Sequence, residues 1–197
     1  MKIIKTYVLS EKTLEKDIDK FIRDAKNGRY QYDYKYGQEG LKILKAYFRM
    51  IEQELKKANY QEAIRAYEKL FKFLFQREYD YFNYEDIIGK FNTEKLIGNY
   101  FYTIIQNKEN IFKKYLDYLK LTNGYYFESA YRTININLTE QELIEFFEQV
   151  EERLKLVKSK EYCYYELAEI LVEFYKNKDE NKYLELKEKY KEFIEDA

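Results

Sequence analysis

The chain contains no proline, no histidine and no tryptophan, and only one cysteine and six glycines in 197 residues. Proline is the residue that most often breaks a helix, so its absence fits a mostly helical chain. Without histidine the chain lacks the usual general base near neutral pH and the commonest zinc ligand. That argues against an enzyme, and no cofactor or metal is expected. The single cysteine, Cys163, permits no intramolecular disulfide, which fits a reducing cytoplasm. It stands among Tyr162, Tyr164 and Tyr165 with no base beside it and reads as a buried structural thiol. No segment approaches the length of a membrane span. The opening MKIIKTYVLSEK lacks the uninterrupted apolar run of a signal peptide.

Charge is abundant but balanced. The chain has 35 basic and 36 acidic residues, a net charge of −1, so no global field favours nucleic acid or an anionic membrane. Charged residues interleave with apolar ones at helical spacing, as on the solvated faces of amphipathic helices. Lys, Glu, Asn, Ile, Tyr and Phe dominate. An AT-rich coding sequence produces the same bias, which points to a low-GC bacterium or a phage as the source. Tyrosine occurs 24 times. Interface enrichment and codon bias both account for that number.

The most informative stretch is LKILKAYFRMIEQELKKANYQEAIRAYEKLFKFLF, residues 41–75. Leu41, Leu44, Phe48, Ile51, Leu55 and Ala58 recur at spacings of three and four. Tyr60, Ala63, Tyr67, Leu70 and Leu74 do the same. Two antiparallel helices follow, joined by a turn at Asn59, which tolerates the left-handed conformation and forms a capping box with Glu62. The segment KANYQEAIRAYEKLF, with Asn59, Tyr60, Ala63 and Tyr67, and Tyr47 as a large first-helix aromatic, resembles one tetratricopeptide repeat. The resemblance covers about one repeat, in a chain long enough for about five. It implies a helical hairpin in which Ala63 sits at the helix crossing.

Elsewhere, Ser10 is a candidate N-cap for a helix ending at Gly28, and Asn92 or Thr93 for one running through Leu96–Ile105. A further helix begins near Asn107 and stops at Asn123–Gly124, giving a second hairpin. Thr139 and Glu142 make a capping box for a helix through Leu143, Phe146, Phe147, Val150 and Leu154. Helices near 160–176 and 180–195 form a third pair. Residues 2–9 and 131–138 show strand-like patterns, the latter through alternating Ile134, Ile136 and Leu138, and are the two segments able to pair. The expectation is one mainly α domain over residues 1–197, an array of antiparallel helical hairpins with at most a two-stranded sheet.

Two stretches carry aromatic residues outside any helical stripe. In RYQYDYKYG, Tyr30, Tyr32, Tyr34 and Tyr36 alternate with polar residues; they serve as a stacking ledge or pack between hairpins. In REYDYFNYED, Tyr79, Tyr81 and Tyr84 mix with Asp80, Glu85 and Asp86, a combination that reads as an acidic loop at the end of a helix pair or as a site suited to a basic protein partner. These three acidic residues lack calcium-loop spacing. The leading reading is a non-enzymatic module binding a protein or peptide partner, a basic one in particular, through Tyr79, Asp80, Tyr81, Tyr84, Glu85, Asp86, Tyr32 and Tyr34. Two alternatives stand beside it. One is a phage or mobile-element protein that regulates or inhibits a nucleoprotein machine. The other is an RNA- or single-strand-binding module, whose basic groove would draw on Lys42, Lys45, Lys56, Lys57, Arg65, Lys69 and Lys72.

Overall fold

A computed structural model describes residues 8–31, 39–75, 88–156 and 163–194. The described chain is mainly α, with no strand among the described residues. It divides into two compact units, Met1–Asn107 and Lys108–Ala197.

The first unit holds α1 (Leu14–Lys26), α2 (Glu39–Lys56), α3 (Tyr60–Phe75), a short 3-10 turn (Ile88–Lys90) and α4 (Thr93–Gln106). Helix α3 packs against α1, α2 and α4. Its Ala63, Ile64, Ala66, Tyr67, Leu70, Phe71, Phe73 and Leu74 are all buried, a broad apolar face for its three neighbours, while Gln61, Arg65 and Lys72 are exposed on the remaining stripe. Ala63 is fully buried in this packing. Aromatic edges tie the layers together: Phe21 meets Tyr47 at 5.5 Å and Phe73 at 6.0 Å, and Phe71 meets Tyr100 at 5.4 Å.

The second unit holds α5 (Ile111–Thr122), α6 (Phe127–Asn137), α7 (Glu140–Leu156), α8 (Tyr164–Tyr175), α9 (Glu180–Lys189) and α10 (Lys191–Ile194). Here α8 packs on α6, α7, α9 and α10. Its core is a ring stack, Phe147 on Phe174 at 3.9 Å, with Phe146 edge-on to Phe147 at 5.2 Å. The Thr139–Glu142 capping box forms in full. Thr139 N–H and Oγ donate to Glu142 Oε2 (2.8 and 2.7 Å), and Glu142 N–H donates to Thr139 Oγ (3.3 Å). Lys182 clasps α7 to α9, donating to Glu151 (2.6 Å) and to the Tyr175 hydroxyl (2.8 Å).

Several local expectations are corrected. Residues 131–138 are not a strand but the body of α6 and its end. The alternation of Ile134, Ile136 and Leu138 competes with a period of four through Ala130, Ile134 and Leu138, and the period of four wins. Those three are buried, while Ile136 is 72 % exposed. Thr133 and Asn137 satisfy their side chains on carbonyls one turn back, Ser129 and Thr133. Of the proposed partner, residues 2–9, only Val8 and Leu9 lie within the described residues, and neither is in a strand. Helix α1 is capped by Thr13, not Ser10, and α5 by Asn110, with Asn107 instead closing α4. The helix expected over 180–195 is interrupted at Tyr190. Cys163 is buried as expected, yet it precedes α8 with φ at 71° and is not inside a helix.

Candidate functional site

In the first unit, three separated stretches enclose an open cleft of about 660 Å³. One wall is the turn between α2 and α3 with the first turns of α3: Glu54, Ala58, Asn59, Gln61, Glu62 and Arg65. The other is the segment entering α1, through Leu9, Lys12 and Thr13. Asn107, at the end of α4, closes one side.

The α2–α3 wall is made by local geometry. Ala58 takes the left-handed conformation (φ 59°) in place of Asn59. Asn59 N–H then reaches back to Glu54 O (2.9 Å) and Ala58 N–H to Leu55 O (3.0 Å), the paired bonds of a Schellman ending. The side chain of Asn59 forms no capping box with Glu62; it donates to Glu54 Oε2 (2.6 Å), while Lys57 holds Glu54 Oε1 (2.8 Å). The Asn59 and Lys57 bonds keep the Glu54 carboxyl below the usual carboxylate range. The Asn107 side-chain amide donates a hydrogen bond to Gln61 Oε1 (3.1 Å).

The facing wall hangs on a buried acid. Asp17, in the first turn of α1, is 1 % exposed. Its Oδ1 accepts from Ser10 N–H (2.7 Å), Ser10 Oγ (2.8 Å) and Glu11 N–H (2.9 Å). Its Oδ2 accepts from the Tyr47 hydroxyl at 2.7 Å. Four donors make burial of a carboxylate affordable. Hence the chain before α1, read from sequence as a simple cap at Ser10, is a strap fastened to the helix it precedes.

The cleft residues present both charges and several amides, and they offer no nucleophile held against a base. Among the described residues no group of three or more His, Cys, Asp or Glu side chains could hold a metal ion, and no helix is long and apolar enough to cross a membrane. Of the basic side chains considered for a nucleic-acid groove, Lys69 is engaged by Glu15 (3.0 Å) and Asp19 (2.6 Å), and Lys57 by Glu54. Tyr30 is no part of an exposed ledge: it is buried and stacked on Phe21 at 5.0 Å.

The residues singled out in the sequence, Tyr32 and Tyr34 on one stretch and Tyr79, Asp80, Tyr81, Tyr84, Glu85 and Asp86 on the other, lie outside the described residues. The cleft itself had no sequence signature beyond two punctuation marks, Ser10 and Asn59. Set against protein-family models, curated proteins and solved structures, the chain finds no match in any of the three.

Proposed function

We propose that the chain is a non-catalytic interaction module that holds an extended segment of a partner protein in the cleft beside the α2–α3 turn. The observation that carries this reading is the chemistry of the cleft. Lys12 and Arg65, the latter also 3.8 Å from Glu15, supply donors, Glu62 acceptors, and Asn59, Gln61 and Asn107 both, beyond the bonds these amides make with one another and with Glu54. A peptide main chain alternates donors and acceptors and needs partners of both kinds. A small ligand of one charge would instead favour walls of the opposite sign. The hairpin α2–α3, kept here as a unit of tetratricopeptide type, supplies the rigid side against which such a segment would be ordered.

Selection of a random peptide library displayed on phage against the whole protein tests this. Peptides recovered on the parent should bind Gln61→Arg and Arg65→Glu variants about tenfold or more weakly, as for residues at the centre of a contact. They should bind a Glu148→Lys control, an exposed site on α7, as well as the parent. Equal binding to all three variants, or recovery of no peptide, overturns the reading.

A further inference from the structure

We propose that Asp17 is the positioning residue of this cleft: from outside it, its carboxylate fixes the wall that carries Leu9 and Lys12. The inference rests on the peptide-binding reading above for its meaning, though not for its geometry.

The strap, residues 8–13, has few other attachments. Among the described residues, the main-chain N–H groups of residues 8–12 that form hydrogen bonds are those of Ser10 and Glu11, and both go to Asp17 Oδ1. Two successive N–H groups converging on one anionic oxygen form a small nest, with the Ser10 hydroxyl as a third donor. Lys20 adds a bond to Ser10 Oγ (3.1 Å) and a 3.5 Å ion pair with Glu11. Both partners of that pair are 39 % exposed, so water and salt weaken it. The carboxylate is therefore the main anchor. Its other oxygen reaches Tyr47 on α2, so the strap is referenced to the body of the unit as well as to α1. Leu9 lies one residue before the nest and Lys12 one residue after it. Their places along the cleft follow from where Ser10 and Glu11 are held.

Removing the carboxylate should free the strap without unfolding the unit. The Tyr47 hydroxyl also donates to the main-chain carbonyl of residue 17 at 3.1 Å, a partner that substitution of the side chain leaves in place. Amide exchange, read residue by residue in the whole protein without ligand, supplies the first measurement. In Asp17→Ala the Ser10 and Glu11 amides should exchange about tenfold faster or more, from loss of two charge-assisted hydrogen bonds. The amides of α3 should speed up only by what the loss of overall stability, measured in parallel by urea titration, accounts for, whereas those of Ser10 and Glu11 exchange by local opening of the strap. Tyr47→Phe, which spares the nest, should leave Ser10 and Glu11 at the parent rate. Should Asp17→Ala fail to fold, Asp17→Asn keeps the side-chain volume and is read at the same two amides.

The second measurement is a double-substitution cycle using peptides selected on the parent protein. Lys12→Ala should weaken their binding in the parent and have no further effect in Asp17→Ala, because Lys12 has already left the cleft. A purely structural role would not remove the Lys12 effect. Unchanged exchange at Ser10 and Glu11, or an equal Lys12→Ala loss in both backgrounds, overturns the proposal. If no peptide binds the parent, the peptide reading falls, and the exchange rates alone decide whether Asp17 holds the wall.

Discussion

On one side of the cleft the chain turns from α2 into α3 by main-chain bonds between near neighbours, and the residues facing the cleft lie in that turn or in the helices it joins, of which α3 is packed on three neighbours. On the other, a segment outside any helix is held by one carboxylate seven residues ahead of Ser10 in sequence. The first wall is an outcome of helix geometry and core packing, so it loosens when the unit as a whole loosens. The second depends mainly on one carboxylate, with Lys20 as a weaker exposed tie, and can come free alone. Binding surfaces often join such parts, a fixed reference and an adjustable one, because the low-stability element can order around a ligand while the scaffold does not move.

One of the two largest expected effects attacks the fixed wall. Ala63→Leu should overpack the fully buried side of α3 and lower unfolding stability by about 1–3 kcal/mol, measured by urea titration. An unchanged midpoint would show that α3 has room to spare and is not the rigid reference described.

Next comes a contrast between two buried tyrosines. Tyr47→Phe removes a hydrogen bond to a charged acceptor and should cost roughly 1.5–3 kcal/mol. Tyr67 is equally buried, but among the described residues its hydroxyl has no partner in hydrogen-bonding geometry; burial drives its pKa far up, opposed by the nearby Asn99 side chain. Tyr67→Phe should therefore be neutral or mildly stabilising. If both substitutions cost the same, the Asp17 fastening contributes nothing special.

Ala58→Gly should stabilise the α2–α3 turn by about 1 kcal/mol, since an L-residue at φ 59° carries a strain that glycine lacks. The smallest effect is one of pH. Because the folded-state pKa of Glu54 is depressed, its bonds to Asn59 and Lys57 stabilise the turn fully above the unfolded-state value, near pH 4.3, and are lost as pH falls through the folded value. Glu54→Gln should flatten that part of the acid-unfolding curve by lowering stability at neutral pH slightly, toward the value the parent shows once Glu54 is protonated. Exchange at Ser10 and Glu11 should not follow the Glu54 titration if the two walls are independent.

What could be read in the sequence was whatever neighbours in sequence decide. The α2–α3 hairpin shows in the spacing of Leu44, Phe48, Ile51, Ala63, Tyr67 and Leu70, and the α7 start in Thr139 and Glu142. Each signal is complete within a few turns. The 131–138 segment was misread because Ile134 and Leu138 satisfy a two-residue and a four-residue period at once. The burial of Ala130 and the exposure of Ile136, set by packing against other helices, separate the two. The cleft was illegible for a different reason. Its residues come from three distant stretches, and the bond that ties the strap's anchor to α2, Tyr47 to Asp17, spans 30 positions. An aspartate in the first turn of a helix looks the same in sequence whether it faces water or gathers a strap around itself.

Cys163 has a use of its own. Burial first, then the charge of Glu166, push its thiol pKa up to about 12, so at neutral pH it is almost wholly protonated as well as shielded. Alkylating reagents attack the thiolate, and they should find this sulfur nearly inert while its surroundings stay packed. The chain has no other thiol to confuse the signal. The rate of mass gain under a maleimide or iodoacetamide pulse thus becomes a clock for opening of the second unit, kept by a single atom and needing no introduced label.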